Sequence, residues 1–214
     1  EDLLEFAVIN IDKPRGPTSF SVSEYVMKRL GLRKTSHLGT LDPAVTGVLP
    51  ITLNRACRLS TYLMKKDKTY VGIMRLHEDV NDNELKKEME NFIGKIIQMP
   101  PVRSSVKRAE REREVKKFEF LERDGKDVLF KADVEAGTYI RTLVHDLGKK
   151  MGGAHMLELR RTRAGIFDEE SAITLYDLDK AVDAYEKGDD KMLKNILISA
   201  EEIIKKTMPI IVIN

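Results

Sequence analysis

The chain has 214 residues, 37 Lys and Arg against 35 Asp and Glu, and 42% hydrophobic residues, enough to bury a core without crosslinks. A single cysteine, Cys57, excludes an internal disulfide framework and suits a reducing compartment. No apolar run approaches the ~20 residues of a membrane span, and the opening Glu1-Asp2-Leu3-Leu4-Glu5 lacks the positive start of a signal peptide, so the chain reads as soluble and cytoplasmic, with no membrane partner.

The net charge of +2 is unevenly spread. Residues 168–206 hold eleven acidic and six basic residues, so the basic excess lies in the part before them, which favours phosphate-bearing partners. Ala7-Val8-Ile9-Asn10-Ile11 reads as a short buried strand, stopped by the rigid turn Lys13-Pro14-Arg15-Gly16-Pro17. Ser21 and Glu24 form a capping-box pattern, Val22, Val26 and Leu30 recur at helical spacing, and Gly31 closes a helix expected over 21–30. The lysine and glycines here do not make a nucleotide-binding loop, because the Gly-x-x-x-x-Gly-Lys-Ser/Thr order is absent.

Next comes Ser36-His37-Leu38-Gly39-Thr40-Leu41-Asp42-Pro43-Ala44-Val45-Thr46-Gly47-Val48-Leu49-Pro50. Two glycines and two prolines in fifteen residues make a shaped loop rather than a regular element, and Pro43 keeps Asp42 out of helical geometry. Such a loop offers a carboxylate to a cleft, although an isolated Asp-Pro is commonly just a surface turn. Val48–Thr52 then reads as a strand, Asn54–Met64 as a helix, and the alternating Lys68-Thr69-Tyr70-Val71-Gly72-Ile73-Met74 as a strand in which Tyr70 alone would be an ordinary sheet aromatic.

Asp79, Asn81, Asn83 and Glu90 fall at calcium-loop positions, but Glu84 occupies the place where such a loop needs glycine, and Leu85, Met89, Phe92 and Ile93 favour an amphipathic helix. His37, His77, His145, His155 and Cys57 have no zinc-ligand spacing, so no metal is expected. The span 103–117 carries seven basic and three acidic residues after Pro100-Pro101. A hairpin follows, with Phe118 and Phe120, an Asp124-Gly125 turn, and Val128, Phe130, Ala132 and Val134.

Gly137-Thr138-Tyr139-Ile140-Arg141 opens a helix whose stripe is Ile140, Leu143, Val144, Leu147 and Met151, with Arg141 beside it in the first turn. Taken alone, Arg141 would be a surface cation worth about 0–1 kcal/mol in an ion pair. Leu157-Glu158-Leu159-Arg160-Arg161-Thr162-Arg163 follows, then an acidic helix with Leu175, Leu178, Ala181, Val182 and Tyr185 inward, a second helix over 196–206, and a strand at 209–214.

The string His37-x-Gly39-Thr40-Leu41-Asp42-Pro43-x-x-x-Gly47-x-Leu49-Pro50 resembles the signature of the TruB family of pseudouridine synthases. So do Lys13-Pro14-x-Gly16-x-Thr18-Ser19, Lys68-x-Tyr70 and Gly137-Thr138-Tyr139-Ile140-Arg141. Together they cover about residues 7–167, and Arg103-Ser104-Ser105-Val106-Lys107-Arg108 points within the family to the archaeal relatives of dyskerin, the catalytic subunit of box H/ACA ribonucleoproteins.

The resemblance implies an α+β pseudouridine synthase fold, a curved, mainly antiparallel mixed sheet flanked by helices, with residues 1–208 as catalytic domain and 209–214 leading to an RNA-binding PUA domain that lies outside the sequence. It implies Asp42 as nucleophile, Arg141 as the cation that pairs with it, and Tyr70 as the stacking aromatic that assists loss of the C5 proton. His37 would fill the space vacated in the RNA, Leu159 would form an apolar wall, and Lys13, Lys68 and Arg160 would make structural or phosphate contacts. No cofactor is implied; the partners would be guide RNA, target RNA and small ribonucleoprotein subunits. A stand-alone synthase acting on the transfer-RNA T-loop and an idle RNA-binding scaffold remain the alternatives. Ser36 stands where the family usually has glycine.

Overall fold

The computed structural model describes residues 2–100 and 109–208. In chain order the elements are α1 (Asp2–Glu5), β1 (Ala7–Lys13), α2 (Ser19–Arg29), β2 (Thr35–His37), β3 (Thr46–Leu53), a 3₁₀ segment (Asn54–Leu59), α3 (Ser60–Met64), β4 (Lys68–Leu76), α4 (Asp82–Asn91) and β5 (Gly94–Gln98). They continue with β6 (Arg111–Asp124), β7 (Asp127–Val134), α5 (Ile140–Lys150), β8 (Ala154–Ala164), β9 (Phe167–Asp168), α6 (Leu175–Glu186), α7 (Lys191–Ile196), β10 (Leu197–Ser199) and α8 (Ala200–Thr207). Two compact units result, one from the described residues up to Met64 together with those from Arg163 onward, the other from Lys65–Thr162. Among the described residues no helix is long and apolar enough to cross a membrane.

In the first unit β1 is buried along nearly its whole length, as its apolar run dictates, and is flanked on both sides. It pairs antiparallel with β3 from Val8↔Thr52 to Lys13↔Gly47, and with β10 from Ala7↔Ser199 to Ile9↔Leu197. β2 lies antiparallel along the other side of β3, with His37 opposite Ile51. Val8, Leu38, Val48, Leu63, Ala164, Phe167 and Ile203 form a core cluster. Burial of each large apolar side chain among them contributes about 1.5–3 kcal/mol. α6 turns Leu178, Ala181 and Val182 inward and opens on a capping box between Thr174 and Asp177. It is tied to α2 by Arg29, which meets Asp179 at 3.1 Å and Glu186 at 3.2 Å.

Several local expectations are corrected here. α2 starts earlier than its apolar spacing suggests, because Thr18 rather than Ser21 accepts the capping bond, from the Ser21 N–H at 3.0 Å. Residues 54–59 wind as 3₁₀ helix before α3, after Asn54 adopts a left-handed φ of 42°. The continuous helix expected over 196–206 is broken, because Leu197–Ser199 supplies the partner that the outer edge of β1 needs, and only then does α8 begin. Tyr185 faces solvent rather than the core. The terminal strand at 209–214 and the Arg103–Arg108 segment lie outside the described residues.

In the second unit the strands run in the order β8-β4-β7-β6-β5. β4 and β7 are antiparallel from Lys68↔Val134 to Arg75↔Asp127, and β6 and β7 form the expected hairpin. Val128, Phe130, Ala132 and Val134 are buried in alternation, and Phe118 meets Phe130 edge to face with centroids 5.5 Å apart. Of the calcium-like positions, Asn81 caps α4 and Asn83 and Glu90 lie on it, while Asp79 precedes it. α5 buries Ile140, Leu143, Val144 and Leu147, the stripe read from its spacing.

Candidate active-site residues

Asp42 sits half-buried between two buried anchors, Leu41 and Val45. Asp42-Pro43-Ala44-Val45 closes a β-turn in which the Val45 N–H donates to the Asp42 carbonyl at 3.0 Å, with proline at the second position, where its fixed φ suits the turn. The residue before the carboxylate is held from both sides. Ser19 Oγ accepts the Leu41 N–H at 2.8 Å and donates to the Leu41 carbonyl at 2.9 Å. The residue after it is held as well, since the Pro43 carbonyl accepts the Gly16 N–H at 2.8 Å.

Lys13 completes this frame. Fully buried at the end of β1, its ammonium donates to the carbonyls of Pro14 at 2.8 Å, Val45 at 2.8 Å and Pro43 at 3.3 Å. The ammonium is thus shared among carbonyls on both sides of the loop, which joins the end of β1 to the Asp42 turn. Burial pushes its pKa below the usual lysine value, and the negative charge of Asp42 opposes that shift. Lys13 is thus both a brace for the turn and a positive charge felt at the carboxylate.

His37, at the end of β2, is half-buried, and the Leu38 N–H continues the pairing by donating to the Pro50 carbonyl at 2.8 Å. Ser36 occupies an ordinary ladder position opposite Thr52, whose hydroxyl donates to its carbonyl at 2.9 Å, so nothing in the backbone there calls for glycine. Lys13, His37 and Asp42 therefore belong to one unit.

Tyr70, Arg141, Leu159, Arg160 and Lys68 belong to the other. Tyr70 on β4 is 8% exposed and pairs with Ala132, two residues before Gly72 opposite Phe130, so Tyr70 and Gly72 share a face of the sheet. A methyl group at Gly72 would lie 2.7 Å from Phe130 Cζ and 3.0 Å from both Leu159 Cδ1 and the Glu158 carbonyl. The missing side chain lets β8 approach β4 and leaves Leu159 against the Tyr70 face. Lys68, 6% exposed, gives its ammonium to the Lys66 carbonyl. Arg160 is half-buried, whereas its neighbour Arg161 is 1% exposed and is the bulkiest fully buried side chain among the described residues. The run of arginines gave no sign of that difference.

Arg141 is exposed in the first turn of α5. The chain reaches it through the turn Glu135-Ala136-Gly137-Thr138, closed by the Thr138 N–H on the Glu135 carbonyl at 3.2 Å. Gly137 takes φ 84° at the third position, which a type II turn reserves for glycine. Tyr139 then stands at the N-cap without a capping side chain of its own. Ser19 entered the sequence reading only as the last residue of the Lys13 motif, and Gln98, whose amide pairs with the Tyr139 main chain, did not enter it at all. Among the described residues, no group of three or more His, Cys, Asp or Glu could hold a metal ion.

Comparison with known proteins fits these motifs. A protein of Methanopyrus kandleri named "Probable tRNA pseudouridine synthase B" is 48% identical over 94% of the chain and 60% of its own length. A Pyrococcus horikoshii protein of the same name is 49% identical over 94% of the chain and 61% of its own length. The chain thus spans about three fifths of these relatives. Among solved structures, a Cbf5-Nop10-Gar1 complex contains a chain 46% identical, with a TM-score of 0.91 over 95% of this chain and 63% of that one. An H/ACA RNP bound to a substrate RNA containing 2'-deoxyuridine gives 45% identity and a TM-score of 0.85 over 95% and 62%. The α+β, mainly antiparallel architecture is therefore that of the pseudouridine synthases. The model of the TruB family pseudouridylate synthase N-terminal domain matches residues 27–140, taking in the Asp42 loop and Tyr70, and that of the tRNA pseudouridylate synthase B C-terminal domain matches 141–205; the chain belongs to the TruB family.

Proposed function

We propose that this chain isomerises chosen uridines of RNA to pseudouridine, the target being selected by a box H/ACA guide RNA, with small ribonucleoprotein subunits docked on the catalytic domain. The observation that carries the reading is the Asp42 turn, a half-exposed carboxylate whose neighbouring main chain is hydrogen-bonded on both sides. The resemblance to a chain of an RNP bound to substrate RNA supports the guided form.

The reaction needs one nucleophile and no external energy. Asp42 attacks the ribose or the base, the bond from uracil N1 to C1' breaks, the base turns, and C5 bonds to C1' as the carboxylate leaves. The proton lost from C5 is balanced by one gained at N1, so the product is an isomer. In this reading Arg141 is the cation of the reaction, and Tyr70 stacks on the detached uracil and assists removal of the C5 proton. Leu159 walls the base, His37 fills the vacated stack, and Arg160 contacts the RNA backbone.

The names of the archaeal relatives favour a second reading, direct action on transfer RNA. Release of tritium from C5-labelled uridine separates the two. Target RNA is offered with its matched guide and with a scrambled guide, and transfer RNA is offered alone. Release with the matched guide only is expected; release from transfer RNA alone supports the second reading, and release from none of them overturns both.

A further inference from the structure

Gln98, the last residue of β5, is 2% exposed and spends its whole side chain on one neighbour. Its Nε2 donates to the Tyr139 carbonyl at 3.1 Å, and its Oε1 accepts the Tyr139 N–H at 2.9 Å. A main-chain N–H can only donate and a carbonyl only accept, so the partners themselves fix which way the amide faces. The carboxamide thereby imitates a paired strand residue.

Tyr139 is the hinge between the Gly137 turn and α5, and its N-cap position has no side-chain cap. Ile140 is anchored in the core at 3% exposure, and Arg141 follows, exposed in the first helical turn. The Tyr139 carbonyl also accepts the Leu143 N–H at 3.0 Å, the bond that starts the helix. One buried amide thus fixes both the entry point and the first helical bond of the turn that displays Arg141.

We propose that Gln98 is a positioning residue for the reaction: it acts through the Tyr139 main chain to hold the first turn of α5, and so fixes where the Arg141 guanidinium stands. This rests on the reading of Arg141 as the cation of the isomerisation. A guanidinium displaced by about 1 Å is enough to cost on the order of 100-fold in rate, so the clamp should show in chemistry more than in affinity.

The test is single-turnover isomerisation at saturating target and guide RNA, with RNA affinity and Tm measured in parallel. Gln98→Met keeps length and apolar volume but removes both bonds; about 10–100-fold slower turnover is expected, with RNA affinity within about threefold. Leu85→Ala, equally buried in α4 of the same unit, should lower Tm yet keep the rate within about threefold below the transition. In an Arg141→Lys background, where guanidinium geometry is already lost, Gln98→Met should cost less than about threefold further. If Gln98→Met does not fold, Gln98→Glu, which keeps only the acceptor, takes its place with the same expected pattern. Wild-type turnover in the Gln98 variant, an equal loss in both backgrounds, or an equal loss in Leu85→Ala overturns the proposal. A wild-type protein inactive on every RNA offered fails the functional reading first, and the inference with it.

Discussion

Around Asp42 the main chain is irregular, and its hydrogen bonds go to side chains and backbone from β1, α2 and the loop between them. Around Arg141 the chain is already becoming helical, and the Gln98 amide meets it at the helix entrance. The first region is a loop braced by an ammonium, a hydroxyl and a glycine N–H; the second is a helix end fixed by Gln98. A helix carries most of its own hydrogen bonds, so only its origin needs setting. A Gly/Pro loop carries few, so each carbonyl beside the carboxylate needs a partner from elsewhere in the chain. The loop should therefore be the more vulnerable of the two.

Lys13→Met should break that asymmetry most severely. It removes the donor shared by three carbonyls, of which that of Pro43 keeps the Gly16 N–H; with about 1–3 kcal/mol for each of the other two, a loss of roughly 2–4 kcal/mol in urea denaturation is expected. Turnover should fall on the order of 100-fold as the turn relaxes. Lys68→Met, whose ammonium meets the Lys66 carbonyl, should cost clearly less in the same assays.

Ser19→Ala comes next. It frees both polar groups of Leu41 while leaving the turn closed, so a loss of about 1–3 kcal/mol and roughly tenfold in turnover is expected, with RNA affinity unchanged. Gly72→Ala probes the second unit away from the clamp. The added methyl must push Leu159 or Phe130 aside or part β4 from β8, for about 1–3 kcal/mol of stability and a several-fold slower turnover.

The smallest effect is in pH dependence. Lys13 has a folded pKa below its unfolded value, so between the two the unfolded state binds more protons and stability rises with pH. That rise ends near the ordinary lysine pKa. Because Asp42 opposes the shift, Asp42→Asn should extend the rising window to lower pH, and Lys13→Met should abolish it, both read from denaturation midpoints across the alkaline range.

Much of this was legible in the residues. Pro43 and the flanking glycines announced a loop bearing Asp42, the stripe from Ile140 to Leu147 announced α5 with Arg141 outside it, and alternation announced β7. What could not be read depended on groups distant in sequence. Lysine is normally solvated, so nothing local to Lys13 announced that it would be buried against carbonyls from Pro43 and Val45, some thirty residues on. Leu197–Ser199 has helical neighbours and becomes a strand only because β1 presents an edge. Gln98 carries no local signal at all, since its partner lies forty-one residues away.

The most direct measurement is single-turnover tritium release by Asp42→Asn with guide-paired target RNA. The substitution keeps the shape of the turn and removes the nucleophilic charge. Release should vanish while RNA affinity and Tm stay close to those of the unaltered protein. Release at the unaltered rate would contradict the assignment of Asp42 as the group that bonds to the uridine.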